Sequence, residues 1–330
     1  DLGERIMQFM GTPPSHIVLP AIHVKREEVG KGFEKELHTE PGNSDPTYLT
    51  HAARAALREK FLHADIAMTG VNFAVASSGA FVVCTNEGNA DMGTSFPKVH
   101  IAIMGLEKVV PDYDALALYV RLLARSATGQ PSTTYTSHYK KPVEGQEMHI
   151  VIVDNGRSDI LACTEHVNML KCIRCGSCIN TCPVYRRTGG YSYSYFIPGP
   201  VGINLGMLKS PEKYSGNVSA CSLCYSCSNV CPVKIDLAEQ IYKWRQDLDG
   251  LGKANTGKKI MSGGMKFLME RPALFNAALW AAPMVNSLPR FMKYNDFDDW
   301  GKGRELPEFA KESFNEMWKK NEVQGKEESK

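Results

Sequence analysis

The chain has 330 residues, with 38 Lys and Arg against 36 Asp and Glu and a formal net charge of +2. That length leaves room for more than one domain with its own core, and the near balance of charge excludes the basic footprint of a nucleic-acid or anionic-membrane binder. No apolar run reaches the roughly 18 to 20 residues that span a bilayer; the nearest, residues 272–289, is broken by Asn276, Pro283 and Asn286.

The opening DLGERIMQFM carries neither the basic start nor the apolar stretch of a secretory leader, and the chain is expected to begin in mid-domain. A short helix is expected over Leu2 to Met10, then Pro13 and Pro14, then a strand-like run from His16 to Leu19. Val24 to Leu37 is charged, with Val29, Phe33 and Leu37 at helical spacing, the pattern of a surface helix. Pro41 to Pro46 is a turn cluster, and Asp45 or Thr47 is placed to cap a helix over about residues 48–62.

Residues 66–88 alternate short apolar runs with the breakers Gly70, Ser77-Ser78-Gly79 and Glu87-Gly88-Asn89, which reads as three strands joined by turns. Another strand is expected over Val99 to Gly105, a helix over Ala115 to Ala124, and a final buried strand over Met148 to Val153. This alternation predicts an α/β domain over residues 1–159. His16, His23, His100 and His138 fall beside polar loops, and their convergence with Asn86, Glu87 and Asn89 would make a polar pocket, Gly88 allowing close backbone approach. Taken singly, such histidines are more often packed than catalytic. Cys84 and Cys163 read as ordinary buried thiols.

The other eight of the ten cysteines fall in two runs, CIRCGSCINTCP from Cys172 to Pro183 and CSLCYSCSNVCP from Cys221 to Pro232. Each has the form C-x2-C-x2-C-x3-C-P, the spacing that ligates cubane [4Fe-4S] clusters, with the fourth cysteine crossing to the other cluster. Three closely spaced thiolates wrap three irons of a cube while the loop amides face its sulfides. The x3 gap and the proline turn the fourth thiolate away. One cluster is therefore assigned to Cys172, Cys175, Cys178 and Cys231, and the second to Cys221, Cys224, Cys227 and Cys182. Zinc also uses paired C-x2-C elements, but a zinc ribbon does not need three cysteines in one tight loop, still less twice. Cysteines gathered into cluster runs rather than spread as a disulfide framework point to a reducing, cytoplasmic setting.

Residues 183–220 separate the runs and include the aromatic, glycine-rich YRRTGGYSYSYFIPGPVG. A spacer of that length, and a helix expected over Asp236 to Asp249, favour an α-helical ferredoxin domain over residues 160–249, entered through a helical stretch from Ile160 to Lys171. Arg174, Arg186 and Arg187 lie beside the first run, where positive charge would favour the reduced cluster. Tyr191, Tyr193 and Tyr195 alternate like a packed β face. The tail, residues 250–330, begins as a Gly and Lys linker and offers helical patterns over Phe275 to Leu288 and Phe309 to Lys320, before a polar end read as disordered. Trp280, Phe291, Trp300, Phe309, Phe314 and Trp318 are too many aromatics to stay solvated, so the tail is expected to pack on the cluster domain or a partner. No Gly-rich loop has the strand before it and the acid after it that dinucleotide binding requires.

The runs PSHIVLPAIH, GVNFAV, NEGNADM, HIAIMGLEKVVP, RLLARSATGQ, TTYTSH and VDNGRSDILA, with the two cysteine runs, resemble the iron-sulfur subunit of the bacterial lactate-utilisation complex, of the LutB or LldF type. The resemblance covers nearly the whole chain. It implies a partial LUD domain, then a two-cluster ferredoxin domain and a helical C-terminal tail with Trp, Leu-Pro and Ser-Phe elements, here Trp300, Leu306-Pro307 and Ser313-Phe314. It implies a role in oxidising L-lactate to pyruvate with two partner subunits, one of the cysteine-rich CCG type and one a smaller LUD protein. It also implies an α/β portion preceding Asp1. One position departs from the family's usual A-E-T-G-T: Ser77 stands where a carboxylate is common. The resulting expectation is an electron-transfer subunit. The rival readings are a LUD domain that itself binds and oxidises a hydroxy acid, and a scaffold whose clusters are structural.

Overall fold

The structure, a computed structural model, describes residues 1–250, 256–293 and 307–319. The chain divides into two compact units, residues 1–253 and 254–330.

The first unit opens with α1 (Leu2–Met10), closed by Gly11 in the left-handed conformation at φ 63°. Helices α2 (Arg26–Leu37) and α3 (Pro46–Leu62) pack with it around Phe33, Leu49 and Ala53. Asp45, not Thr47, caps α3: its carboxylate accepts from the Tyr48 amide at 2.7 Å, supplying a partner to a first-turn N–H that has none within the helix. The run from His16 to Leu19 is not a strand. The His16 ring Nδ1 accepts from the amides of both Val18 and Leu19 at 3.1 Å, so the backbone coils around the side chain instead of extending.

The strands follow as β1 (Ile66–Gly70), β2 (Phe73–Val75) and β3 (Ala80–Thr85), then α4 (Asn89–Ser95), β4 (Val99–Gly105), β5 (Val109–Val110), α5 (Tyr113–Thr128), β6 (Tyr135–Tyr139) and β7 (Glu147–Val153). They form a three-stranded sheet in the order β1-β4-β7 and a four-stranded sheet in the order β5-β2-β3-β6. The first is parallel throughout, with Ala67 opposite His100 and Ala102 opposite Ile150. In the second, β2 and β3 form an antiparallel hairpin whose turn carries Ser77 and Ser78. A core of Val71, Phe81, Val83, Ala102 and Met104 lies between residues of the two sheets.

Strand β7 is an edge strand and not the buried one expected. Ile150, Val151 and Ile152 are 43%, 45% and 59% exposed, and Ile66 and Met68 of β1 are also open. A parallel sheet is ordinarily covered on both faces, which is why its residues read as buried. Within this chain some of that apolar surface is uncovered.

From residue 157 to residue 250 the chain is helical. Short α6 (Arg157–Leu161) and a 3-10 turn (Val167–Lys171) lead into α7 (Ser177–Thr181), α8 (Pro183–Thr188), a 3-10 turn (Tyr191–Tyr193), α9 (Gly199–Lys209), α10 (Pro211–Ala220), α11 (Ser226–Val230) and α12 (Leu237–Gly250). Helix α9 has Val201, Ile203, Asn204 and Met207 all nearly inaccessible, as a helix apolar on every side must be. It is the centre of a core that also holds Ile179, Val218, Ile235 and Ile241. The long spacer thus becomes the helical scaffold on which both cysteine runs are mounted, and the tyrosines at 191, 193 and 195 belong to it and not to a β face.

The second unit contains α13 (Thr256–Met269), α14 (Pro272–Ala281), a 3-10 turn (Ala282–Ser287), α15 (Arg290–Lys293) and α16 (Phe314–Lys319). The helix expected over residues 275–288 is therefore α14 continued as a 3-10 turn. Asn286 ties the later segment down, its side chain donating to the Phe309 carbonyl and accepting from the Phe309 amide. Trp280 and Phe291 are each 73% exposed. Trp300 and the polar end, residues 321–330, lie outside the described residues.

Candidate iron-sulfur centre

The two cysteine loops have the same backbone. Arg174 and Gly176 in the first, and Leu223 and Tyr225 in the second, are left-handed, with φ of 63°, 77°, 52° and 60°. These are matching positions of the two motifs, one before and one after the second cysteine. Left-handed backbone at a non-glycine residue costs roughly 1–2 kcal/mol, yet three of the four positions are not glycine. Left-handed residues alternating with ordinary ones turn successive amides to one side, an arrangement that binds anionic groups including iron-sulfur clusters. Sulfur already receives some of these donors: the Leu223 amide donates to Cys221 Sγ at 3.4 Å, and the Ile235 amide to Cys231 Sγ at 3.3 Å.

Each loop ends in a short helix, α7 or α11, and the two meet with Thr181 Oγ1 and Ser226 Oγ 2.6 Å apart. That contact brings the end of the first run, next to Cys182, against the second loop. Burial pushes the Cys175 thiol up, and the charges of Cys172 and Cys231 push it the same way. Burial likewise raises Cys221, with Cys182 and Cys224 adding to it, while Cys227 is pushed up to about 11 by burial, by Cys221 and by Cys182. Cys231 is thus felt at the first loop, as Cys227 is through Cys178, and Cys182 at the second. All eight thiols are free, and Cys175, Cys178, Cys182, Cys227 and Cys231 are buried.

The sulfurs are not gathered as a single tetrahedral ion would gather them. A tetrahedral zinc with Zn–S near 2.3 Å holds its sulfurs roughly 3.8 Å apart. Among the described residues no three cysteines bring their sulfurs within 4.8 Å of one another. A cubane attaches each thiolate to a different iron corner and so takes a wider set.

The first loop is sunk into the α/β domain. Ile173 and Cys175 share a core with Phe73, Val75, Val82, Leu116 and Leu123. Ser177 donates to the Ser126 carbonyl at 2.5 Å, and His16 Nε2 lies 3.1 Å from Asn180 Oδ1. Arg174 turns back to Glu107, Nη2 to Oε1 at 3.9 Å, and Glu107 also pairs closely with Arg157. Burial pushes the Glu107 carboxyl up, but the hydrogen bond from Arg157, a backbone hydrogen bond and the charges of Arg157 and Lys108 together hold it below the usual range. Arg186 instead donates to the Asn180 carbonyl at 2.7 Å, and Arg187 is exposed. The second loop is nearer the surface, with Cys224 exposed and Tyr225 and Val230 about as open, at 40% and 42%.

The four histidines do not converge on a pocket. His16 lies on the first cysteine loop, and His23 bonds Ser15 Oγ at 2.6 Å and the Tyr191 hydroxyl at 2.7 Å. His100 is buried against Phe81 and Tyr139, with Nε2 2.8 Å from Thr69 Oγ1, and burial lowers its pKa. His138 stacks on Tyr113. Asn86 accepts from Thr134, Glu87 from the Leu2 amide, and Asn89 pairs with Thr85 and Asp1. Polar loops adjacent in sequence are separated because the strands that carry them belong to two sheets.

Comparison with known proteins agrees with this geometry. A LUD domain matches residues 1–160, and a 4Fe-4S dicluster domain matches residues 168–235. A protein of Bacillus pumilus named lactate utilization protein B is 42% identical over 98% of this chain and 70% of its own length. The chain belongs to the lactate utilization protein B family. The family relative of Shouchella clausii, with the same name, is 40% identical over 98% of this chain and 71% of its own. An Escherichia coli K12 protein named uncharacterized electron transport protein YkgF is 39% identical over 99% of this chain and 71% of its own. Among solved structures, a DUF162 family protein of Deinococcus radiodurans aligns at 16% identity over 46% of this chain and 93% of that one, with a TM-score of 0.21 that carries no argument about fold.

In this member of the lactate utilization protein B family the dicluster match means iron-sulfur clusters of the [4Fe-4S] type. No helix among the described residues is long and apolar enough to cross a membrane. Ser77 sits on the exposed β2–β3 turn, its amide donating to the Pro111 carbonyl at 3.0 Å.

Sequence reasoning missed Tyr193. It is 3% exposed, and its hydroxyl lies 3.9 Å from Cys182 Sγ. A hydroxyl aimed at a ligating sulfur stabilises the more negative, reduced state and raises a cluster's potential. Tyr193→Phe is expected to lower the potential of one cluster by on the order of tens of millivolts and leave the other unchanged, read by a redox titration followed by EPR.

Proposed function

We propose that this chain is an electron-transfer subunit carrying two [4Fe-4S] clusters in a complex that oxidises L-lactate to pyruvate. Cys172, Cys175, Cys178 and Cys231 hold the first cluster, and Cys221, Cys224, Cys227 and Cys182 hold the second. The single observation that carries the reading is the matched pair of left-handed positions in the two loops, a costly backbone kept twice. Each cluster, when bound, takes up and releases one electron. The protein's role is to supply thiolates, to aim amides and the Tyr193 hydroxyl at sulfur, and to keep the first site dry under the LUD domain.

The inequality of the two loops gives the relay ends. The first loop faces the LUD core, whereas the second presents Cys224 at the surface, where a partner can approach. The partners on this reading are a CCG-type cysteine-rich subunit and a smaller LUD protein, in the cytoplasm, where thiols stay reduced. The domains are a LUD-type domain over residues 1–159, a ferredoxin domain over 160–249 and a helical tail over 250–330. Iron analysis and EPR of the reduced protein test the reading. About eight irons per chain, with reversible reduction, are expected; about four irons, zinc, or clusters that do not cycle would sink it.

A second reading has one observation in its favour. A cavity of about 390 Å³ at the seam is lined by Glu107, Lys108, Arg157 and Lys171 and has Cys172 in its wall. Lys108, Arg157 and Lys171 outnumber Glu107 in an otherwise largely apolar lining, and that surplus suits a small carboxylate, which would make the LUD domain itself the hydroxy-acid site. Lactate binding by the isolated subunit supports this reading; binding by the assembled complex alone rejects it.

A further inference from the structure

We propose that Glu165, His166 and Asp247 form a binding site for a divalent first-row cation, separate from the cluster cysteines. Each offers one ligand atom, and these atoms lie within 4.8 Å of one another. His166 is only 2% exposed, and neither of its ring nitrogens has a hydrogen-bond partner, an expensive state for a buried polar ring. Its plane is fixed by the indole of Trp244, stacked at 3.7 Å between centroids with 6° between planes. The ring therefore cannot turn to find another partner.

Fixed in this way, Nε2 faces Asp247 Oδ2 at 3.5 Å. That separation is long for a hydrogen bond. It suits two ligands on one ion, since bonds of about 2.1 Å to nitrogen and oxygen at a tetrahedral angle set the two atoms roughly 3.4 Å apart. Glu165 supplies the second carboxylate from the outer side, where it is exposed. Imidazole with two carboxylates is a donor set for manganese, iron or zinc as divalent ions, and it lacks the thiolates that would draw a soft one. An opposing charge is Lys243, whose Nζ lies 3.6 Å from Glu165 Oε1 and competes for that carboxylate.

The position gives the ion a task. Glu165 and His166 precede the first cysteine loop, and Asp247 lies on α12, after the second. An ion here pins the entry of the cluster region to its exit. The site stands whether or not the clusters serve lactate oxidation.

The test is titration of the cluster-loaded chain with Mn2+, followed by loss of the free-ion EPR signal and by Trp244 emission. One Mn2+ per chain, displaced by Zn2+, is expected. Asp247→Asn, His166→Gln and Glu165→Gln should each weaken binding by roughly tenfold or more. Lys243→Met should tighten it by freeing Glu165, an effect that a purely structural histidine would not produce. Iron content and visible absorbance report which variants are folded. Should the buried His166 variant fail to fold, the exposed Glu165 variant still decides. The absence of a saturable site, or an affinity indifferent to these substitutions, overturns the proposal in favour of a simple His166–Asp247 ion pair.

Discussion

Cys231→Ser is expected to empty the site of the first loop, although Cys231 belongs to the second run. Iron should fall from about eight to about four per chain, and the EPR spectrum that remains should match the one left by Cys178→Ser. Cys182→Ser should instead reproduce Cys227→Ser. The basis is the crossing spacing of the motif together with the contact of α7 with α11, where Thr181 Oγ1 and Ser226 Oγ lie 2.6 Å apart. If Cys231→Ser and Cys227→Ser leave the same spectrum, each run holds its own four-thiolate site and the crossing is wrong. Comparing pairs of variants guards against a general loss of folding, since each member of a pair removes a similar buried sulfur.

Gly190→Ala is expected to be among the most damaging single-methyl changes at the described glycines. A Cβ at Gly190 would overlap the carbonyl oxygen of Ser15, a backbone atom that cannot swing aside as the end of a flexible side chain would. Around it, Tyr185 donates to the same Ser15 carbonyl at 3.2 Å and Tyr191 to the Pro13 carbonyl at 2.7 Å. These contacts hold the segment between α1 and α2 against the ferredoxin scaffold, so a single added methyl group must push that segment off the scaffold. A loss of about 3 kcal/mol is expected in denaturant unfolding, at the upper end of overpacking effects, with earlier release of iron. Gly189→Ala, next to it, has open space around its Cβ, but its φ of 73° and ψ of 178° lie in a region essentially confined to glycine, so it carries only backbone strain, about 1–3 kcal/mol, without early release of iron. Gly190 has ordinary helical backbone, so a loss below about 1 kcal/mol there would show that the Ser15 segment gives way and that the contact is not tight.

The sequence was most legible where chemistry or local periodicity is written into neighbouring residues. The cysteine spacing named the cofactor class because a cube demands several thiolates from one short loop. Helices α1, α3 and α5 and strands β1 to β4 were readable from apolar spacing and breakers. Reading failed where a side chain bonded its own backbone, as His16 does with Val18 and Leu19, and where burial depends on what lies over a sheet, as at β7. The histidine pocket failed for a related reason: adjacency along the chain says nothing about which of two sheets a strand joins.

By itself, then, the sequence determined the ligand types, their spacing, the order of an α/β region before a helical one, and the family. Those features are local, resting on contacts between residues a few positions apart. Only the tertiary structure decided that the first loop is buried under the LUD core while the second reaches the surface at Cys224, and that the Tyr193 hydroxyl stands over Cys182 Sγ. It also brought His166 to Asp247 across both loops. Each of these depends on the packing of elements far apart in sequence, which spacing cannot encode.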